Sequence, residues 1–213
     1  MKRKYIALLV ILSATFLYGC TGKITDSLQN KPNIEPTPTV IETKDPETEN
    51  DTKTTETEVI KIKVTSESLT SEGKWLTTIN SKKGNPAGSN QSPQLSWDKV
   101  EGANCYAIYM VDNSASYWLH WMAKNVNDNN LTLGAELDES RYEGPYPPSG
   151  IHEYEVIVYA LKGAPDKYPG VFNSSNSSLE AMEEKLDTID GVSGNIIGKG
   201  SIIGTVTVGE AVE

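Results

Sequence analysis

The aromatic residues of this 213-residue chain are confined to two regions, and this limits where a core can form. Residues 21–60 contain no Trp, Tyr or Phe. Beyond them, every aromatic side chain lies between Trp75 and Phe172. Because large apolar side chains supply most of the free energy of burial, a packed domain can form only in the C-terminal part. That part has roughly 150 residues, a typical size for one domain.

The first 20 residues have the pattern of a bacterial lipoprotein signal. A basic start, Lys2-Arg3-Lys4, precedes an apolar stretch from Ile6 to Gly19. That stretch is about 14 residues long, which suits a signal peptide and is short for a transmembrane span. A small residue, Gly19, directly precedes Cys20, as at a lipoprotein processing site. We therefore predict a signal peptide at residues 1–19, lipidation of Cys20 and an extracytoplasmic, membrane-anchored protein. The alternative is an ordinary secretory signal with an incidental cysteine.

Residues 20–58 are rich in Thr, Glu, Pro, Asn, Lys and Asp, and their few apolar residues are scattered. Such a segment buries too little apolar surface to offset the entropy of ordering it. We predict a disordered acidic tether, followed by a single domain over residues 59–213.

The charge of the chain argues against a nucleic-acid-binding protein, and its cysteine content argues against a disulfide-stabilised one. The formal net charge is −10 and the isoelectric point is about 4.8, whereas nucleic-acid binding needs clustered Lys and Arg. We therefore expect no nucleic-acid partner. If Cys20 carries lipid, Cys105 is the remaining cysteine and no disulfide framework exists. Its alternating apolar surroundings favour a buried, unreactive thiol.

The C-terminal part is dominated by segments typical of β-strands, rich in β-branched and aromatic residues or alternating in polarity. One helix is expected, because a Ser cap precedes acidic residues and an apolar face formed by Leu179, Met182 and Leu186. Many strands with one short helix favour a β-sandwich. The predicted strands are Ile60–Val64, Cys105–Val111, Trp118–Val126, Tyr154–Leu161 and Ser201–Val208, and the helix is Ser177–Leu186.

The two histidines of the chain lie in unusual surroundings. His120 falls within Tyr117-Trp118-Leu119-His120-Trp121-Met122, where strand alternation would place Trp118, His120 and Met122 on one face. His152 follows a proline-rich turn and should share a strand face with Tyr154. By composition alone, each is an ordinary half-buried histidine.

Four motifs together resemble the phosphatidylethanolamine-binding protein family, in its bacterial Raf-kinase-inhibitor-like branch. Gly144-Pro145-Tyr146-Pro147-Pro148-Ser149-Gly150 followed by His152-Glu153-Tyr154 is similar to one signature of that family. Asn90-Gln91-Ser92-Pro93-Gln94-Leu95-Ser96-Trp97, Asp112-Asn113-Ser114-Ala115-Ser116 and Trp118-Leu119-His120-Trp121 match further family segments. The four occur in the family's order and cover the domain from about Ile60 to Val208.

The resemblance implies a mainly β fold: a sandwich of two antiparallel sheets with one or two short helices near the C-terminus. It also implies a small pocket for phosphate-like anions, including phospholipid head groups, without a cofactor or metal and without catalysis. If the family's site is transferred to the matching positions of this sequence, His120 and His152 are the walls of the pocket and Asp112 is the buried acid. Pro147 and Tyr154 then complete the rim. Two imidazoles can donate hydrogen bonds to one phosphate group, and a nearby carboxylate favours the protonated ring.

The chain departs from the family pattern at two places. Asn113, Ser114 and Ser116 replace a proline, a second acid and a proline, which predicts a softer turn and a changed choice of ligand. Glu153 replaces an arginine, which removes a positive charge near the pocket and predicts weaker anion affinity.

Three alternatives to an anion-binding module stay open at this level. The domain could inhibit or regulate an extracellular protein such as a protease. His120, His152 and Asp112 could instead hold a metal or perform acid–base catalysis, although the sequence has no His-Glu-x-x-His motif, no serine elbow and no Cys-His pairing. Finally, the pocket could be vestigial in a structural surface domain.

Overall fold

The computed structural model describes residues 58–213. The predicted signal peptide, the lipidation of Cys20 and nearly all of the predicted tether lie outside the described residues. Within the described range the chain forms nine strands and one α-helix. They are β1 (Ile60–Lys61), β2 (Val64–Thr65), β3 (Leu95–Trp97), β4 (Cys105–Asp112), β5 (Trp118–Val126), β6 (Asn130–Leu131), β7 (Ser140–Tyr142), β8 (Ile151–Leu161), α1 (Leu179–Leu186) and β9 (Ile196–Thr207).

The strands form two sheets. The larger sheet has six strands in the order β1-β9-β8-β4-β5-β7, and the smaller has three in the order β2-β3-β6. Every pair is antiparallel except β1 with β9, which is parallel at one edge of the larger sheet. The predicted mainly β sandwich of two sheets is confirmed. It differs from the prediction only in that β1 and β9 pair in parallel and not antiparallel.

The larger sheet is covered on both faces, so its central strand is buried along its whole length. Side chains on one face, including Ile108 and Met110 of β4, pack with Trp75 and Trp97 in the core between the sheets. Side chains on the other face, including Tyr109, pack under α1. A strand buried on both sides lacks the apolar–polar alternation of a half-exposed strand, which is why β4 is almost continuously apolar.

The predicted strands correspond to β4, β5, β8 and β9, and β5 has the predicted bounds. The predicted strand Ile60–Val64 is instead two short strands in different sheets, because the chain crosses between the sheets at Ile62. Alternation cannot show such a crossing, since the side-chain period is the same on both sides of it. No helix within residues 58–213 is long and apolar enough to span a membrane.

Helix α1 begins directly after its predicted cap. The side chain of Ser178 accepts a hydrogen bond from the Ala181 amide at 3.0 Å, which satisfies one of the free N–H groups at the helix start. Met182 and Leu186 are buried beneath the helix and Leu179 is partly buried, so the predicted apolar face is confirmed.

Candidate ligand-binding pocket

The predicted site residues meet at one end of three neighbouring strands of the larger sheet. Asp112 ends β4 and lies opposite Trp118 at the start of β5 and Tyr154 near the start of β8. His152 is the second residue of β8. The motifs are far apart in the sequence, and the order β8-β4-β5 brings them together.

A β-bulge in β5 determines where His120 points. Val111 pairs with Leu119 and Met110 pairs with Trp121, so His120 is the extra residue in the strand. A bulge shifts the alternation of side chains beyond it. Trp118 and His120 therefore line the pocket, but Met122 packs with the core under α1. The prediction that Met122 shares the face of His120 is wrong for this reason.

The pocket is a cavity of about 300 Å³ that contains all five residues proposed from the sequence. Its lining is largely aromatic and apolar, with two histidines and one acid. Among the lining residues there is no Lys or Arg. The residues are Asp112, Ala115, Trp118, His120, Tyr146, Pro147, Pro148, His152 and Tyr154.

Asp112 and His152 form a close pair at the pocket wall. His152 Nδ1 lies 2.6 Å from Asp112 Oδ2, and the Asp112 side chain is almost fully buried. The other carboxylate oxygen, Oδ1, accepts a hydrogen bond from the Ser114 amide at 2.9 Å. Since a carboxylate accepts, Nδ1 of His152 carries the hydrogen, and this bond fixes the orientation of the ring.

His120 is held by the backbone of the loop before β8. Its Nδ1 lies 2.8 Å from the carbonyl oxygen of Glu143, and the residue is 3% exposed. Burial lowers the pKa of His120 below its usual 6.5, and the bond to Glu143 and the charge of Asp112 offset this only in part. Its ring packs edge-on against Tyr146 and Tyr154.

Tyr154 forms the floor between the two histidines. It is fully buried, its ring stacks on His152, and its hydroxyl has no hydrogen-bond partner within residues 58–213. Burial, and next the charge of Asp112, raise the pKa of Tyr154 far above its usual value. Its hydroxyl therefore keeps its proton, next to the Asp112 carboxylate.

The turn after Asp112 is held by hydrogen bonds where the family has prolines. Ser114 accepts from the Glu153 amide at 3.0 Å, and the amide group of Asn113 donates to Glu153 and Glu155. The turn thus keeps Asp112 against His152. These contacts also place the Glu153 side chain on the opposite face of β8 from His152, since successive residues alternate.

Two consecutive residues after this turn have left-handed backbone, Ser116 with φ 52° and Tyr117 with φ 51°. Such angles are costly for residues other than glycine, by about 1–2 kcal/mol each. Asn176 restrains both, since its amide N–H donates to the Ser116 carbonyl and its side chain donates to the Tyr117 carbonyl. The strained pair directs Trp118 into the pocket.

The proline-rich loop is anchored at Gly144. Its amide donates to the Asn90 side chain at 2.8 Å, and the Ser81 amide donates to the carbonyl of Pro145 at 3.0 Å. A Cβ at position 144 would overlap the carbonyl oxygen of Ile79. Only glycine allows this close approach, which places Tyr146 over His120.

Asn173 joins two walls of the pocket, and no motif in the sequence pointed to it as a site residue. Its Oδ1 accepts a hydrogen bond from the Tyr146 hydroxyl at 2.8 Å and another from Trp118 Nε1 at 3.2 Å. The residue has φ 56° and lies in a polar loop that gives no functional signal. Trp118 and Tyr146 themselves lie within the quoted motifs, but the sequence assigned them no role.

Within residues 58–213, no three or more His, Cys, Asp or Glu side chains are grouped so as to hold a metal ion. His120 and His152 are both engaged through Nδ1, so the Nε2 atoms are the ring nitrogens left for a ligand.

Comparison with known proteins bears on the family and the fold of this chain. Residues 51–207 match the family model described as phosphatidylethanolamine-binding protein. A UPF0098 protein of Methanothermobacter thermautotrophicus is 32% identical in an alignment 137 residues long that covers 55% of this chain and 83% of that protein.

Two solved structures align with this chain. One is YbcL of E. coli, described as a new member of the mammalian PEBP family, with TM-score 0.53 and 23% identity over 69% of this chain and 98% of that chain. The other is a phosphatidylethanolamine-binding protein homologue of Chlamydia trachomatis, with TM-score 0.49 and 24% identity over 68% and 96%. From the family-model match and the M. thermautotrophicus relative, this chain belongs to the phosphatidylethanolamine-binding protein family.

Proposed function

We propose that the domain binds a small anion or a phosphorylated head group in this pocket and does not catalyse a reaction on it. The observation that carries the proposal is the pair of histidines. Each ring is fixed through Nδ1, and both line one cavity. A protonated His152, paired with Asp112, presents a charge-assisted donor to an anion.

The rest of the pocket supports a small ligand held in a fixed position. Bulky side chains, Trp118, Tyr146 and Pro147, enclose the cavity. Because hydrogen bonds and prolines already restrain these walls, little ordering entropy is lost on binding. A domain of acidic composition would attract an anion only through such a local site, not through its overall field.

We also propose that lipidated Cys20 holds the domain at the outer face of the bacterial membrane. The support is the basic start, the short apolar stretch and Gly19 directly before the cysteine. Acyl chains contribute about 0.8 kcal/mol per buried methylene, so two or three chains anchor a protein firmly. Mass spectrometry of the N-terminal peptide should show a diacylglyceryl group on Cys20, and Cys20→Ser should release the protein from the membrane. An unmodified cysteine in a membrane-bound chain would refute the anchor.

The binding proposal is tested by titrating phosphate and phosphoethanolamine into the full-length chain in detergent, with NMR detection of the two histidine rings. We expect both rings to shift, and a variant with His120→Gln and His152→Gln to lose binding. Asp128→Asn, on an exposed residue beyond the far end of β5, is the matched control and should bind normally. Absence of any shift at millimolar ligand would show that the pocket does not bind these anions.

A further inference from the structure

The hydrogen-bond partner of His120 decides which kind of atom this residue presents to a ligand. Its Nδ1 lies 2.8 Å from the carbonyl oxygen of Glu143. A carbonyl oxygen can only accept, so Nδ1 carries the hydrogen. In a neutral imidazole the other nitrogen, Nε2, then has a lone pair and acts as an acceptor.

The surroundings of His120 favour the neutral ring. The groups that face it are Asp112 at the end of β4, Tyr154 and His152 on β8, and Glu143 and Tyr146 on the loop before β8. The negative charges of Asp112 and Glu143 favour protonation, but burial outweighs them and the pKa of His120 is lowered. Near neutral pH the residue therefore offers an acceptor and not a donor.

The opposite wall offers a donor when His152 is protonated. His152 donates through Nδ1 to Asp112, so its protonated form presents Nε2–H to the cavity. No Lys or Arg lines the cavity, and Asp112 already carries a negative charge there. A ligand with two negative charges would be poorly compensated.

We propose that the pocket selects an oxyanion with a single negative charge that still carries an acidic O–H group, such as the monoanion of a phosphate monoester. The O–H donates to Nε2 of His120, while another oxygen accepts from His152. This rests on the proposed function and narrows it. A phosphate diester has the same charge but no O–H, so it leaves the acceptor of His120 without a partner, and an unpaired buried polar atom is costly.

The test compares methyl phosphate with dimethyl phosphate by calorimetry on the full-length chain in detergent, at about pH 6.5. The measured affinity of methyl phosphate is corrected for the fraction of the ligand that is the monoanion, since the second pKa of such monoesters is about 6. We expect the monoanion to bind about tenfold more tightly, as one hydrogen bond to a charged group is worth that much or more. Equal affinities would overturn the inference and leave the proposed function standing. If neither ligand binds, the proposed function itself fails.

A variant of His120 and the ¹⁵N shifts of its ring test the role of this residue directly. His120→Phe keeps an aromatic ring but removes the acceptor, so the tenfold preference should fall to about one because methyl phosphate binds less tightly. A preference that persists in this variant would refute the role of His120. If the variant does not fold, ¹⁵N shifts of the unmodified chain give the answer. They should show hydrogen on Nδ1 of His120, and the Nε2 signal should move with methyl phosphate but not with dimethyl phosphate.

Lipid and soluble monoesters share this chemistry, and vesicles distinguish the two sources. Vesicles with phosphatidic acid present a monoester, whereas vesicles with phosphatidylglycerol present a diester of single charge. Preference for phosphatidic acid supports the inference with a membrane ligand. Binding of methyl phosphate without binding of either vesicle supports it with a soluble ligand. Preference for phosphatidylglycerol contradicts it.

Discussion

Replacing Asn173 with glycine should loosen two walls of the pocket without straining the loop that carries them. Asn173 has φ 56°, which glycine adopts at no steric cost. The change therefore removes the side chain and leaves the backbone conformation accessible. The substitution removes Asn173 Oδ1, which accepts a hydrogen bond from the Tyr146 hydroxyl at 2.8 Å and another from Trp118 Nε1 at 3.2 Å.

The size of the effect follows from these two hydrogen bonds. Both are neutral and solvent-exposed, so each contributes about 0.5 kcal/mol, the low end of the usual range. Together they are worth about 1 kcal/mol. If the freed walls must be ordered again when a ligand binds, affinity for phosphate should fall about fivefold. The free energy of unfolding should fall by no more than about 1 kcal/mol.

Calorimetric titration with phosphate, together with denaturant unfolding, would measure both quantities. Tyr146→Phe removes one of the two bonds and keeps the ring, so it should show about half the loss. In the Asn173→Gly background, Tyr146→Phe should have almost no further effect, because the partner is already absent. Independent, additive losses, or an Asn173→Gly variant with unchanged affinity, would refute the idea that Asn173 acts through these walls.

Three further predictions concern the site and the core. Gly144→Ala should destabilise the domain by about 1–3 kcal/mol in denaturant unfolding, because its methyl group would overlap the Ile79 carbonyl; a stability unchanged within error would contradict this. The unfolded chain binds the proton of His120 more readily than the folded chain. The free energy of unfolding should therefore fall as pH drops below about 6.5, and His120→Gln should remove that part of the pH dependence. Burial raises the pKa of the Cys105 thiol although Tyr168 partly offsets this, so a thiol reagent should modify it much more slowly than a model thiol at neutral pH; rapid modification would show that the site opens.

Most of the larger sheet could be predicted from the sequence, because its long strands have strong local signals. The continuous apolar run of β4 and the aromatic run of β5 both mark strands, and the cap at Ser178 marks the helix start. The short strands of the smaller sheet could not be predicted. A strand of two or three residues such as β3 or β6 is held by its neighbours and not by its own propensity.

The site was predicted through the motifs and not through periodicity. Strand alternation placed His152 and Tyr154 together correctly, but it failed for Met122 because the extra residue at His120 shifts the alternation directly beyond it. A bulge depends on pairing between strands, so no local pattern in β5 could show it.

By itself, the sequence predicted a core in the C-terminal part and a mainly β fold, and its motifs pointed to five side chains to consider for a site. These follow from side-chain size, polarity and recognisable motifs, which are local properties. Only the tertiary structure decided that Asp112 meets His152, that the Glu143 carbonyl fixes the hydrogen of His120 on Nδ1, and that Asn173 joins two pocket walls. Each of these contacts joins residues at least 23 positions apart. Such contacts depend on the order and register of strands, which no single segment of the chain encodes.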